Sequence, residues 1–257
     1  GMVGLVETTG QHDNVVHLWL RRPSQGNALD PETVNRLHYE LSAAESRPEC
    51  LAVVVRAEGS AFCAGADVKA CMNLIHSPNQ LLAFFAEGRR FMDRLVNSRL
   101  LSIAVVQGLA AAGGLELVTA TDFVIATDSA LFADRHTAFG FLPAFGATSL
   151  LPLRVGDSIA RSMLFGKREL DATAAQSVGL VHRICSAHEV DDVIEQELSH
   201  LRSVGVGALT SMKHLINSME PTRLELETSA VRRFSEMGGY DPSRFIGRAE
   251  RGQDSAH

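Results

Sequence analysis

The chain has 257 residues, 46% of them hydrophobic, which is enough to bury one large core near the size at which single cores begin to split. Its 24 basic and 30 acidic residues create no field that would gather nucleic acid or an anionic membrane, so an anionic ligand needs basic residues placed locally. Cys50, Cys63, Cys71 and Cys185 follow neither a disulfide framework nor a metal spacing, and neither a signal peptide nor a membrane-length apolar run is recognisable. The expectation is a soluble, cytoplasmic protein that binds no metal, nucleic acid or membrane.

In chain order, residues 14–20 are apolar and β-branched and run into the turn-rich stretch 21–30, which reads as a strand entering a loop. Asp30 followed by Pro31 opens a helix, Asp as N-cap and Pro at the first helical position, with Leu37, Leu41 and Ala44 as its apolar stripe. Residues 51–59 form a continuous apolar run of strand length, as a sheet covered on both faces requires. The order then repeats: a loop at 60–67, a helical region over 68–97, a strand at 101–108 and a helix opening at Gly113–Gly114. Strands at 122–126 and 130–132 precede a helical tail with helices near 157–165, 171–178, 189–203, 207–218 and 221–236. Strand–helix units in succession predict an α/β fold.

Two small-residue turns follow the two best strands. The first is Ala64-Gly65-Ala66-Asp67 and the second Ala110-Ala111-Ala112-Gly113-Gly114-Leu115-Glu116. Small residues let a ligand approach the backbone, and the free amides of a helix's first turn point toward negative charge. Facing one another, two such turns would form an oxyanion hole; each alone is equally the mark of tight helix–strand packing. The dinucleotide fingerprint, the P-loop, the nucleophile elbow and the H-E-x-x-H motif are absent.

Taken in order, Arg22-Pro23, Asn27-Ala28-Leu29, FCAGADVK, GLAAAGGLELVTATD, FGFLP and RFIGRAERG resemble the enoyl-coenzyme A hydratase/isomerase, or crotonase, superfamily over nearly the whole chain. The resemblance implies a crotonase-like spiral of ββα units over residues 2–195 and a C-terminal helical region over 196–257 that forms a trimer or covers a neighbour's site. It also implies an acyl-coenzyme A thioester as substrate, with no bound cofactor, in a homotrimer or a dimer of trimers. By position, Ala66 and Gly113 match the residues whose amides form the family's oxyanion hole, and Glu116 matches the first of its two catalytic glutamates. Ala64, Asp67, Val68 and Lys69 fall in the coenzyme-binding turn, with Arg21, Arg22 and Arg248 as further phosphate partners or, equally, solvated surface charges. The region 71–97 is where the family lines its acyl pocket, so Leu74, Phe84 and Phe85, together with Leu142 and Phe145, are expected to line it unless they only fill core.

One departure matters for the chemistry. Phe132, Gly140 and Pro143 fix the alignment of the segment that carries the family's second glutamate, and His136 stands in that place, with Arg135 replacing a proline. Water addition needs one group to take a proton and another to give one, work that a histidine near neutrality performs as well. His136 is therefore the second candidate catalytic residue, with Asp134 or Arg135 adjusting its imidazole; the alternative is a polar loop residue lining the pocket. Hydration of a 2-enoyl-coenzyme A is the expected reaction. Isomerisation, decarboxylation, thioester hydrolysis and acyl-coenzyme A binding without turnover are the alternatives. Ala112, where a third glycine is common, is a further departure.

Overall fold

The structure, a computed structural model, describes residues 6–9, 14–218 and 222–243. Strand β1 (Val6–Thr9) pairs antiparallel with β2 (Val15–Leu20), and a loop leads to helix α1 (Pro31–Glu45). The Asp30 side chain accepts from the Thr33 amide at 2.8 Å and Pro31 fills the first helical position, so this helix starts where its capping residues dictate.

Strand β3 (Ala52–Ala57) is followed by two helices rather than the single helical region expected over 68–97. Asp67 caps α2 (Val68–Leu74), and Pro78 opens α3 (Pro78–Asn97), because proline lacks the amide needed to continue a helix but suits its first turn. Strand β4 (Leu101–Val106) is next, then the short β5 (Leu109–Ala111) and α4 (Gly113–Thr119). Strands β6 (Phe123–Thr127) and β7 (Leu131–Ala133) lead through a 3-10 turn at His136–Phe139 to α5 (Ala147–Val155). The remainder comprises α6 (Asp157–Leu164), β8 (Leu170–Asp171), α7 (Ala172–Ser177), β9 (Arg183–Cys185), α8 (Val190–Val204), α9 (Val206–Asn217) and α10 (Thr222–Glu236).

The main sheet has the order β1-β2-β3-β4-β6-β9, parallel from β2 onward, and a smaller sheet has the order β5-β7-β8. Single parallel bridges, Leu29 to Ala66 and Cys63 to Ala110, extend the smaller sheet's pattern back to the earlier units. Strands β2, β3, β4 and β6 are thus each followed by a short second segment and a helix, which is the ββα spiral. The main sheet is covered on both faces: Leu18, Val53, Val55, Ala104 and Val106 face the helices of the spiral, and Val54, Ile103, Val105 and Ile125 face α8. This is why β3 and β4 read as unbroken apolar runs.

Among the described residues no helix is long and apolar enough to cross a membrane. Arg248 and the segment RFIGRAERG lie outside the described residues.

Candidate active site

The two small-residue turns come together because almost nothing fills the space between them. A Cβ added to Gly65, whose φ is +109°, would stand 2.9 Å from the Ala112 Cβ and 3.0 Å from the Gly113 nitrogen. One added to Gly113 would stand 3.1 Å from the Ala66 nitrogen. The bridge from Leu29 uses the Gly65 carbonyl and the Asp67 amide, at 2.8 Å each, so the intervening Ala66 N–H points the other way, toward Gly113. Gly113 is the first residue of α4, where an amide has no acceptor within its own helix. The Ala66 and Gly113 amides therefore sit close together. Ala112, immediately before, has φ +49° and ψ −117°, a conformation that suits glycine and strains any residue with a Cβ.

Glu116, one turn into α4, is 1% exposed. Its Oε1 accepts from the amides of Phe145 and Ala147, both at 3.0 Å, and so ties α4 to the start of α5. Among the described residues its Oε2 has no hydrogen-bond partner, and it lies 3.5 Å from Nε2 of His136. On the other side of the imidazole, Nδ1 is 2.7 Å from Oδ1 of buried Asp134, whose Oδ2 accepts from the His136 amide at 3.1 Å. Asp134 thus fixes both the ring and the backbone of His136, leaving Nε2 to face Glu116. Burial raises the Glu116 carboxyl above its usual range, against the opposing pull of His136. Burial also works against a charged His136, but the carboxylates of Glu116 and Asp134 outweigh it and hold the imidazole up to about 10.

Arg135 explains how the histidine reaches this position. Its φ is +60°, a value closed to the proline that the family pattern carries there, since the pyrrolidine ring locks φ near about −65°. The exposed Arg135 side chain pairs with Glu169 at 3.0 Å and takes no part in orienting the ring.

The residues expected at the coenzyme divide into two groups. Arg22 donates to the Ala28 carbonyl at 2.7 Å and to Asp67 at 3.0 Å, and Asp67 also caps α2 through the Ala70 amide at 2.9 Å. Both side chains fasten the first loop to the first turn, which makes them a structural clamp rather than an open phosphate contact. Arg21 pairs with Glu58 at 2.9 Å. Ala64 and Lys69 are exposed on the outer side of the turn and Val68 is partly buried against the core.

Of the acyl-wall residues, Phe84 and Phe85 meet Phe145 edge-on at 6.0 and 6.2 Å, all three buried, while Leu74 and Leu142 are partly buried behind them. The Phe145 ring reaches to 3.1 Å from where a Gly113 Cβ would be. Beside it, a cavity of about 260 Å³ is lined by Leu82, Phe85, Ala86, Arg89, Ala144 and Val231.

Sequence reasoning missed Arg89 and Glu227, a buried pair at 2.9 Å. Glu227 also accepts from Thr148 Oγ1 at 2.7 Å and from the Ser149 amide at 3.1 Å, so α10 is anchored on the start of α5. A charge in each of two amphipathic helices gives no local signal that the two will meet.

The structure is a spiral α/β scaffold that brings two small-residue turns close to a buried carboxylate–imidazole–carboxylate chain. The chain belongs to the enoyl-CoA hydratase/isomerase family, whose model matches residues 10–238. The human mitochondrial methylglutaconyl-CoA hydratase is 30% identical over 183 residues, covering 71% of this chain and 53% of that protein, so the match spans about half of the relative. A probable enoyl-CoA hydratase from Rhizobium meliloti (strain 1021) is 31% identical over 225 residues, 86% of this chain and 84% of that one. The crystal structure of an enoyl-CoA hydratase from Mycobacterium avium subsp. paratuberculosis K-10 superposes with a TM-score of 0.84 at 24% identity, covering 97% and 99% of the two chains, which bears on the fold.

Proposed function

We propose that this chain hydrates a 2-enoyl-CoA to a 3-hydroxyacyl-CoA, with Glu116 and His136 as the proton-handling pair. The observation that carries the reading is the unpartnered Oε2 of Glu116, 3.5 Å from an imidazole held in place from behind by Asp134. The thioester oxygen docks on the amides of Ala66 and Gly113, which favour the charge that develops as the enolate forms. Such a donor typically contributes about 3–4 kcal/mol. Water adds to C3 and gives its proton to Glu116, while His136 protonates C2. The proton captured by Glu116 then passes to His136, restoring the pair.

Lys69 and Ala64 are the residues offered to the coenzyme, with Arg21 at the edge and Arg248 from the C-terminal segment. Phe84, Phe85 and Phe145 wall the acyl end, and Leu74 and Leu142 stand behind them. As in the family pattern, the working form is a homotrimer or a dimer of trimers.

The test is incubation of the enzyme with crotonyl-CoA in deuterated water. The expected product is 3-hydroxybutyryl-CoA carrying one deuterium at C2. Free coenzyme A would instead identify a hydrolase, and a moved double bond without water uptake an isomerase; either result refutes hydration.

A further inference from the structure

Tyr240 follows α10 and is buried, with 7% of its surface exposed. Its ring is walled by Phe85, Phe141 and Phe234, at centroid distances of 5.4, 5.0 and 5.0 Å. Phe85 in turn packs on Phe145, whose backbone amide holds Glu116, so Tyr240 belongs to the same wall as the catalytic carboxylate. Its hydroxyl has no hydrogen-bond partner among the described residues.

That combination is unfavourable for the empty protein. Three phenylalanines would accommodate a fourth equally well, whereas a buried hydroxyl without a partner keeps its desolvation cost uncompensated. Burial first, and then the nearby carboxylates of Glu116 and Glu227, push the phenol's pKa up, so the group keeps its proton and acts as a donor. The same two carboxylates disfavour an anionic partner, which leaves a neutral oxygen as the suitable acceptor.

We propose that Tyr240 is a specificity-determining residue that donates a hydrogen bond to a neutral oxygen carried by the acyl group. This rests on the reading of the site as one for acyl-CoA thioesters. A site built to bond an oxygen discriminates strongly against the analogue lacking it, because the donor is then left unpaired.

The experiment compares acetoacetyl-CoA with butyryl-CoA, which differ by one neutral oxygen and carry no double bond to hydrate, by calorimetric titration of wild type and Tyr240→Phe at slightly acidic pH. Wild type is expected to bind acetoacetyl-CoA about ten-fold more tightly, and Tyr240→Phe to bind the two alike through loss of affinity for acetoacetyl-CoA alone. The unliganded variant is expected to melt at the same temperature as wild type or higher, since an uncompensated hydroxyl has gone. Equal binding of the two thioesters by wild type overturns the proposal, as does an undiminished preference in Tyr240→Phe. A lowered melting temperature overturns it as well, because the hydroxyl would then be bonded within the fold. Failure of both thioesters to bind wild type overturns the acyl-CoA reading and this proposal with it, whereas tight and equal binding overturns this proposal alone.

Discussion

Glu116 and Glu227 are both buried carboxylates bound to the first turn of α5, and they differ in the group that faces them. Glu116 faces His136, whose imidazole belongs to the one side-chain type that ordinarily titrates near neutrality. Glu227 faces Arg89, whose guanidinium stays charged at any working pH. The first arrangement leaves an oxygen without a hydrogen bond and a proton free to move. The second locks α3, α5 and α10 together. A buried carboxylate is thus a chemical group or a rivet according to the titration range of its neighbour, with no difference in its own chemistry.

The sharpest way to break this comparison is to remove each negative charge while keeping the shape. Glu116→Gln is expected to lower kcat on crotonyl-CoA by about 10²–10⁴-fold, the usual worth of a positioned acid or base, with the melting temperature near that of wild type. The glutamine oxygen still accepts from Phe145 and Ala147, so a collapse of the fold would contradict the assigned role. Glu227→Gln is expected to do the reverse. It replaces the charged partner of buried Arg89 by a neutral amide and destabilises the protein, by up to about 3–5 kcal/mol in urea unfolding, with a smaller change in turnover per folded molecule.

Titration sharpens the contrast further. His136 is held up to about 10, against an ordinary value of 6.5 when the chain is unfolded. Its contribution to stability is therefore fully present below 6.5 and is lost as pH rises through about 10, because between these values the folded state holds the extra proton. Wild-type stability should fall relative to His136→Gln across that window, by at most about 1.4 kcal/mol per pH unit. A parallel pair of pH–stability curves would mean that the imidazole is neutral beside Glu116.

The smallest effect concerns the start of α4, which carries Glu116. Ala112→Gly relieves a φ of +49° and should stabilise the protein by about 1 kcal/mol, read as a rise in melting temperature with unchanged kcat. A fall would show that the alanine methyl packs usefully between the two turns.

The two small-residue turns were legible in the sequence because their residue types are tied to a local backbone need, whereas Glu116 and His136 were singled out by the family resemblance. Small residues mark the close approach of Gly65 to Gly113, and Asp30 and Asp67 mark helix starts. That Arg22 and Asp67 pair with each other was not legible, since a charge beside a turn carries no sign of which way it points until the loop at 21–30 closes on α2. The helical region read over 68–97 is divided at Ile75–Ser77, where Pro78 opens the second helix.

The order of strands and helices, the covered sheet and the residues of the two turns followed from the chain's own pattern, because capping, turn chemistry and hydrophobic period act over a few neighbouring residues. Only the tertiary structure decided that Asp134 grips His136 from behind, that Glu227 reaches Arg89, and that Tyr240 enters the wall beside Glu116. The last two join residues far apart along the chain, and the first depends on the turn that the backbone takes at Arg135. Their direction depends on where each helix comes to rest, which no local preference specifies.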